Sequence, residues 1–283
     1  MILIKKAEDL QNQLQKIKVK NATIGFIPTM GALHQGHLSL IGMAKSQGCF
    51  TVCSIFINPT QFNDPKDFQK YPVTIDADIY RLETAGCDIL FLPSIDEVYP
   101  QGLQVKRHYE LGYLENILEG KFRPGHFQGV CQVVHRLLEI VQPHQLYVGQ
   151  KDYQQCMVLA QLIKQIELPV TVELNICPTL RETSGLAMSS RNMRLNETER
   201  QKATAIYNCL RFLKSHLKKG SLQDSLQQAE KQLSEAGFKT DYVVIAEAQT
   251  LNILDEWDEE TKVVALIAAF LNEVRLIDNM ILN

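Results

Sequence analysis

The chain lacks a charge excess of either sign. Across 283 residues, 29 Lys and Arg face 32 Asp and Glu, for a formal net charge of -3. That balance excludes a chain built for nonspecific attraction to nucleic acid or to an anionic membrane. Its seven cysteines (Cys49, Cys53, Cys87, Cys131, Cys156, Cys177 and Cys209) include no C-x-x-C pair. An odd, scattered set suits neither a disulfide framework nor a structural zinc site. Reduced, buried thiols in a cytoplasmic protein are the expectation. Tryptophan occurs once. No apolar run approaches the ~20 residues of a membrane span, and MILIKKAEDL lacks the apolar core of a secretory leader. The commonest nucleotide and nucleophile signatures are missing too: no G-x-x-x-x-G-K-[ST], no G-x-G-x-x-G after a strand, no G-x-S-x-G.

What is present alternates. Continuous apolar runs, rich in Val, Ile and Phe, read as strands covered on both faces: TIGFI (residues 23–27), FTVCSIFI (50–57), DILFL (88–92), QLYV (145–148) and VTVEL (170–174). Helical patterns lie between them near residues 38–46, 75–85, 128–141 and 153–166. Strand alternating with helix predicts an α/β fold with a parallel, Rossmann-like sheet, whose ligands bind beyond the carboxyl ends of the strands. After about residue 181 the texture changes. Asn196 followed by Glu199 reads as a capping box. A long helix is expected to about Lys219 and a second over 222–236, then strands at 242–246, 262–270 and 274–277. The expected division is a parallel-sheet domain over 1–181, with the crevice for ligands, and a smaller α+β domain over 182–283, with residues 181–192 at the junction.

Five polar strings stand out. PTMGALHQGH follows the first strand and opens a helix, whose first N–H groups and dipole attract anions. Gly31 and Gly36 allow close backbone approach, and His34 and His37 can donate to phosphate oxygens. SIFINPTQF supplies two neutral amides, Asn58 and Gln61, suited to gripping a small polar acid without adding charge. GQKDYQQ carries Lys151, a point charge for phosphate, and Asp152, a partner for ribose hydroxyls. GLAMSSRN offers Ser189, Ser190 and Arg191 as a second phosphate clamp. LEGKFRPGHFQGV places Arg123, His126 and Gln128 around glycines before an apolar helix.

H-x-G-H after a strand, His34 to His37, and MSSR, Met188 to Arg191, resemble the two signatures of the nucleotidylyltransferase superfamily, and all five strings stand in order and at matching separations. Within it they resemble the pantothenate synthetase (pantoate–β-alanine ligase) family, over essentially the whole chain to the closing RLIDN. The resemblance implies that ATP and pantoate form pantoyl adenylate and pyrophosphate, and that β-alanine then captures the adenylate to give pantothenate and AMP. It implies an ATP site of Met30, Gly31, Ala32, Leu33, His34, Gln35, Gly36, His37, Gly149, Gln150, Lys151, Asp152, Leu180, Met188, Ser189, Ser190 and Arg191. His37 is the implied proton donor, with His34, Lys151 and Arg191 as its catalytic partners. Gln61 and Gln155 would hold pantoate, Gln61 also lying near β-alanine, with Asn58 beside them. Magnesium and a homodimer are implied, without assigned metal ligands. Val73, Gln150 and the pair Thr183 and Ser184 depart from the family pattern. A relative acting on a phosphate-bearing acceptor would want extra Lys or Arg where this chain has glutamines. A non-catalytic nucleotide sensor could dispense with the donors that are all present here.

Overall fold

Strands that read as unbroken apolar runs end up inside a sheet, because only burial on both faces removes the need for alternation. The computed structural model describes residues 1–63, 65–104 and 107–283. The chain forms two compact units: Met1–Gly149 with Val158–Pro178, and Gln150–Met157 with Thr179–Asn283.

The first unit contains β1 (Ile2–Ile4), α1 (Ala7–Lys18), β2 (Ile24–Thr29), α2 (Gln35–Ser46), β3 (Phe50–Ile55), α3 (Pro65–Gln69), α4 (Ile75–Thr84), β4 (Ile89–Phe91), α5 (Ile95–Val98), α6 (Leu118–Phe122), α7 (His126–Val141), β5 (Gln145–Gly149), most of α8 (Tyr153–Gln165) and β6 (Glu173–Cys177). Six strands form one sheet in the order β1-β4-β3-β2-β5-β6, every pairing parallel. The expected α/β class is therefore observed. The order reverses beside β2, so its carboxyl end lies at the switch point where open sheets leave a crevice. Ile24, Phe26, Ile27, Val52, Leu90 and Phe91 are buried along the inner strands.

The second unit holds α9 (Glu197–Ala203), α10 (Ala205–Ser215), β7 (Gly220–Ser221), α11 (Gln223–Glu235), β8 (Phe238–Glu247), β9 (Glu256–Trp257), β10 (Val263–Leu271) and β11 (Val274–Ile281). β10 lies between β8 and β11, antiparallel to both, and β7 pairs with β9. Leu210, Leu213 and Leu233 of the two longer helices pack on Ile245, Val263 and Ile267 in one apolar cluster. Trp257, half-buried in β9, donates its indole N–H to the Thr261 carbonyl at 2.9 Å. The capping box at Asn196 and Glu199 is formed as read.

Three local expectations are corrected. Residues 1–18, read without elements, form β1 and α1. The last strand of the parallel sheet is Glu173–Cys177, not residues 170–174. As an edge strand it buries too little to show an apolar run, and its register follows β5, Gln145 against Glu173. The long helix breaks at Thr204, whose hydroxyl donates to the Gln201 carbonyl at 2.7 Å, and it ends at Ser215. All seven cysteines are buried thiols. Burial pushes Cys87 up to about 11 and Cys131 up to about 12, which keeps them protonated and inert. Among the described residues no helix is long and apolar enough to cross a membrane.

His144 continues the β2–β5 ladder. Its N–H donates to the Ile24 carbonyl at 3.0 Å, and its Nδ1 accepts the Ile24 N–H at 3.0 Å. An acceptor Nδ1 must be unprotonated. Burial, then the neighbouring Lys18 charge, lowers the imidazole pKa from 6.5. His135 is lowered as well, chiefly by burial. As pH falls from 6.5 towards these lower folded values, the unfolded chain binds more protons than the folded one, so stability falls with pH across that window. The urea midpoint should drop between about pH 7.5 and about pH 5.5, and drop less in His144→Gln; an equal drop in both would remove His144 from the cause.

Candidate functional site

In the first unit the site begins where β2 stops. Thr29 donates its hydroxyl to the Ser54 carbonyl at 2.7 Å, tying the ends of β2 and β3 together. The chain then turns through Gly31 at φ +81 and Ala32 at φ +49. A Cβ on Gly31 would lie 3.0 Å from Ile55 Cγ2, so both the dihedral and the space call for glycine. Asp78 of α4 accepts the Ala32 and Leu33 N–H groups, each at 2.8 Å. His34 is the N-cap of α2 and His37 stands three residues on. The two rings are 4.0 Å apart between centroids. His37 Nδ1 accepts the His34 N–H at 3.3 Å, which leaves Nε2 to carry the proton and act as donor. Gln35 is exposed, while Met30, Gly36 and His37 are half-buried and Gly31, Ala32 and Leu33 buried.

Beyond β3 a 3-10 turn, Pro59–Gln61, carries Gln61 and is capped by Asn58. Gln61 Nε2 lies 3.0 Å from Met30 Sδ, so this amide sits against the loop that leads to the histidines. Asn58 is 1 % exposed. Its Nδ2 donates to Gln61 Oε1 at 3.3 Å and to the Gly129 carbonyl at 3.1 Å. Its Oδ1 accepts the Tyr99 hydroxyl at 2.9 Å and the Thr60 hydroxyl at 3.1 Å. Asn58 thus holds Gln61 in place. His126 does so from the other side: its Nδ1 donates to the Gln61 carbonyl at 2.8 Å while Nε2 accepts from Arg123 at 3.0 Å. Gln128 instead binds the Tyr109 backbone.

The second unit carries cationic candidates of its own, Lys151 and Arg191. Residues 150–152 form a 3-10 turn after β5. Lys151 Nζ lies 3.7 Å from Asp152 Oδ1, and its side chain is 16 % exposed. Asn279 of β11 clamps this turn, donating to the Gln150 and Lys151 carbonyls at 2.9 and 2.8 Å. Gln150, one of the departures from the family pattern, donates to Asn279 Oδ1 at 3.3 Å. Gln155 is half-buried one helical turn on. Arg181 forms a fork with Asp278 at 2.5 and 3.0 Å and donates to the Gly185 carbonyl at 3.2 Å. Burial pushes the Asp278 carboxyl up, and the Arg181 guanidinium opposes it. Gly185, at φ +91, lies under Tyr207, where a Cβ would come within 2.2 Å of the ring. The exposed Leu180 accepts the Met188 N–H at 3.0 Å through its carbonyl. Ser189 accepts the Arg191 N–H at 3.3 Å, capping the turn Ser190–Arg194, where Ser190 is buried and Arg191 half-buried. The other departures, Val73 and the pair Thr183 and Ser184, are exposed.

The residues overlooked in the sequence are those that hold others: Asp78, Tyr99, Asn279 and the Arg181–Asp278 pair. Their signal was faint. Asp78 sits in the first turn of a helix, where an acid usually answers the dipole, and Asp278 and Asn279 stand in RLIDN, which the family resemblance reached without giving it a role.

Comparison with known proteins gives one answer. The family described as pantoate-beta-alanine ligase matches residues 2–281. The chain is 43% identical to a pantothenate synthetase of Cytophaga hutchinsonii, covering 100% of this chain and 99% of the relative. It is 40% identical to that of Caldicellulosiruptor bescii, with 99% of each covered. The crystal structure of pantothenate synthetase from Thermus thermophilus superposes with a TM-score of 0.90 at 37% identity, covering 100% of this chain and 99% of that one. A pantoate-beta-alanine ligase from Francisella tularensis, complexed with beta-gamma ATP and beta-alanine, superposes at 0.82 with 38% identity, 99% and 97% covered.

Gly129 packs against the amide turn so closely that a Cβ there would stand 2.4 Å from the Thr60 carbonyl oxygen. Gly129→Ala should cost about 1–3 kcal/mol of overpacking, which at about 2–4 °C per kcal/mol lowers the thermal midpoint by several degrees. Calorimetry checks it; an unchanged midpoint would show that the turn yields freely.

Proposed function

The chain belongs to the pantoate–β-alanine ligase family, and from that premise we propose that it joins pantoate to β-alanine through a pantoyl adenylate, with the residues above in defined roles. The observation that carries the assignment is the neutral Gln61 amide held 3.0 Å from Met30 Sδ, beside the loop that ends in His34 and His37.

In the first step a pantoate carboxylate oxygen attacks the α-phosphorus of ATP, and the bond to the bridging oxygen of pyrophosphate breaks. Two anions must approach in line. Positioning and preorganised donors supply most of the assistance such transfers need. His37 donates from Nε2 and His34 stands beside it at the start of α2, where the helix dipole adds positive potential. Lys151, Ser189, Ser190 and Arg191 complete the set for the same ATP, with Met30 to Leu33, Gln35, Gly36, Gly149, Gln150, Asp152, Leu180 and Met188 around the nucleotide. Gln61 and Gln155 orient pantoate through neutral amides, leaving the nucleophilic carboxylate its charge. Asn58 fixes Gln61. In the second step the neutral amine of β-alanine attacks the acyl carbon, the acyl–oxygen bond breaks, AMP leaves and the amine proton goes to solvent.

Among the described residues no three His, Cys, Asp or Glu side chains are grouped to hold a metal ion. Magnesium belongs in this reading to the substrate, as the companion of the ATP phosphates. The family resemblance supports a cytoplasmic homodimer, and the change of sequence pattern after about residue 181 supports nucleotide-binding and lid domains over 1–181 and 182–283.

The test is product analysis with ATP, Mg²⁺ and pantoate, with and without β-alanine. Pyrophosphate exchange into ATP should require pantoate alone, and AMP with pantothenate should appear only when β-alanine is added. Exchange that ignores pantoate would sink the reading. His37→Ala should lower the exchange rate roughly 10²–10³-fold with folding intact, the usual effect of losing one transition-state donor. Gln155→Ala should raise the KM for pantoate more than that for ATP; equal rises would reject its role.

A further inference from the structure

We propose that Asp78 is a positioning residue for the histidine pair: its buried carboxylate sets the backbone that delivers His34 and His37. The inference rests on the proposed role of those histidines, but its geometry stands apart. The Asp78 side chain is 0 % exposed, in the first turn of α4. Oδ2 accepts the N–H of Ala32 at 2.8 Å, and Oδ1 accepts the N–H of Leu33 at 2.8 Å. Thr74, at the head of the same helix, donates its hydroxyl to Oδ1 at 3.1 Å, and an Arg81 guanidinium nitrogen stands 3.5 Å away.

The gripped segment is one that resists its own conformation. Gly31 and Ala32 both have positive φ, and alanine in that region carries a steric penalty from its Cβ. Two successive N–H groups point into the protein there, and a buried donor without an acceptor is costly. One carboxylate answers both problems. Its two oxygens satisfy the two donors, and doing so holds the strained dihedrals that turn β2 into α2. The residue after Leu33 is His34, so any relaxation of this turn reaches the imidazoles directly. A carboxamide cannot substitute, because its NH2 would face one of the two N–H groups.

The role predicts a particular pattern. Asp78→Asn should stay folded, as judged by circular dichroism, while the amides of Ala32 and Leu33 lose hydrogen-exchange protection by at least about tenfold. The rate of pantoate-dependent pyrophosphate exchange should fall roughly 10–10²-fold, with the KM for pantoate within about twofold of the parent, because misplaced donors cost turnover rather than pantoate affinity. A role confined to stability would lower the thermal midpoint and leave turnover per folded molecule unchanged, and that result overturns the proposal. Should Asp78→Asn not fold, Thr74→Val decides: it keeps both acceptor oxygens and removes only their hydroxyl partner. A several-fold lower turnover at an unchanged KM supports the proposal, and parental turnover rejects it. If the parent protein itself shows no pantoate-dependent exchange, the proposed function fails instead. The amide protection of Ala32 and Leu33 then decides the geometry alone, lost in the variant if Asp78 sets the turn and retained if it does not.

Discussion

The loops at the carboxyl ends of the first unit's strands hang on β2, which pairs with β3 along its length and with β5 over its first half. β3 pairs with it along its whole length, from Ile24 to Thr29, while β5 pairs with it only at Gly25 and Phe26. Its carboxyl end is held by β3, through the ladder to Thr29 and the Thr29 hydroxyl bond to the Ser54 carbonyl. The loops that leave it and its neighbour need only short reaches to bring an imidazole pair and a carboxamide together. A switch point is where such a fixed end meets open crevice rather than the next helix.

From that anchor outward the polar groups are arranged by other polar groups. Asn58 holds Gln61, His126 holds the Gln61 carbonyl, and in the second unit Asn279 holds the carbonyls of Gln150 and Lys151. None of these holders needs to touch a ligand. Each fixes one side chain or one turn that could otherwise sample several rotamers, and each is itself fully engaged. Leaving any one partner unsatisfied in a buried setting costs about 1–3 kcal/mol, more than a typical surface contact returns. Rigidity at the site is thus bought mainly with backbone carbonyls and amides.

This division explains what could be read from the sequence. Side chains that would meet a ligand announce themselves as strings, because His34, His37, Gln61 and Lys151 stand in polar stretches just after apolar runs and Arg191 in the polar junction after residue 181. The parallel sheet was legible for the same reason: buried strands leave unbroken Val, Ile and Phe. The holders left little trace, since Asp78, Tyr99 and Asn279 earn their places through residues 20 or more positions distant in the chain. β6 was shifted because this edge strand is little buried and shows no run, and β1, at three residues, is too short for its apolar run to mark a strand. Thr204 breaks a helix that periodicity alone would continue.

The indole in β9 has a consequence of an optical kind. Trp257 is the one tryptophan of the chain and it belongs wholly to the second unit. Emission excited selectively through it follows the unfolding of that unit and is blind to the parallel sheet. Far-ultraviolet dichroism averages over both. Whether the two curves coincide in denaturant would reveal if the units melt as one cooperative body or in sequence, with no label attached.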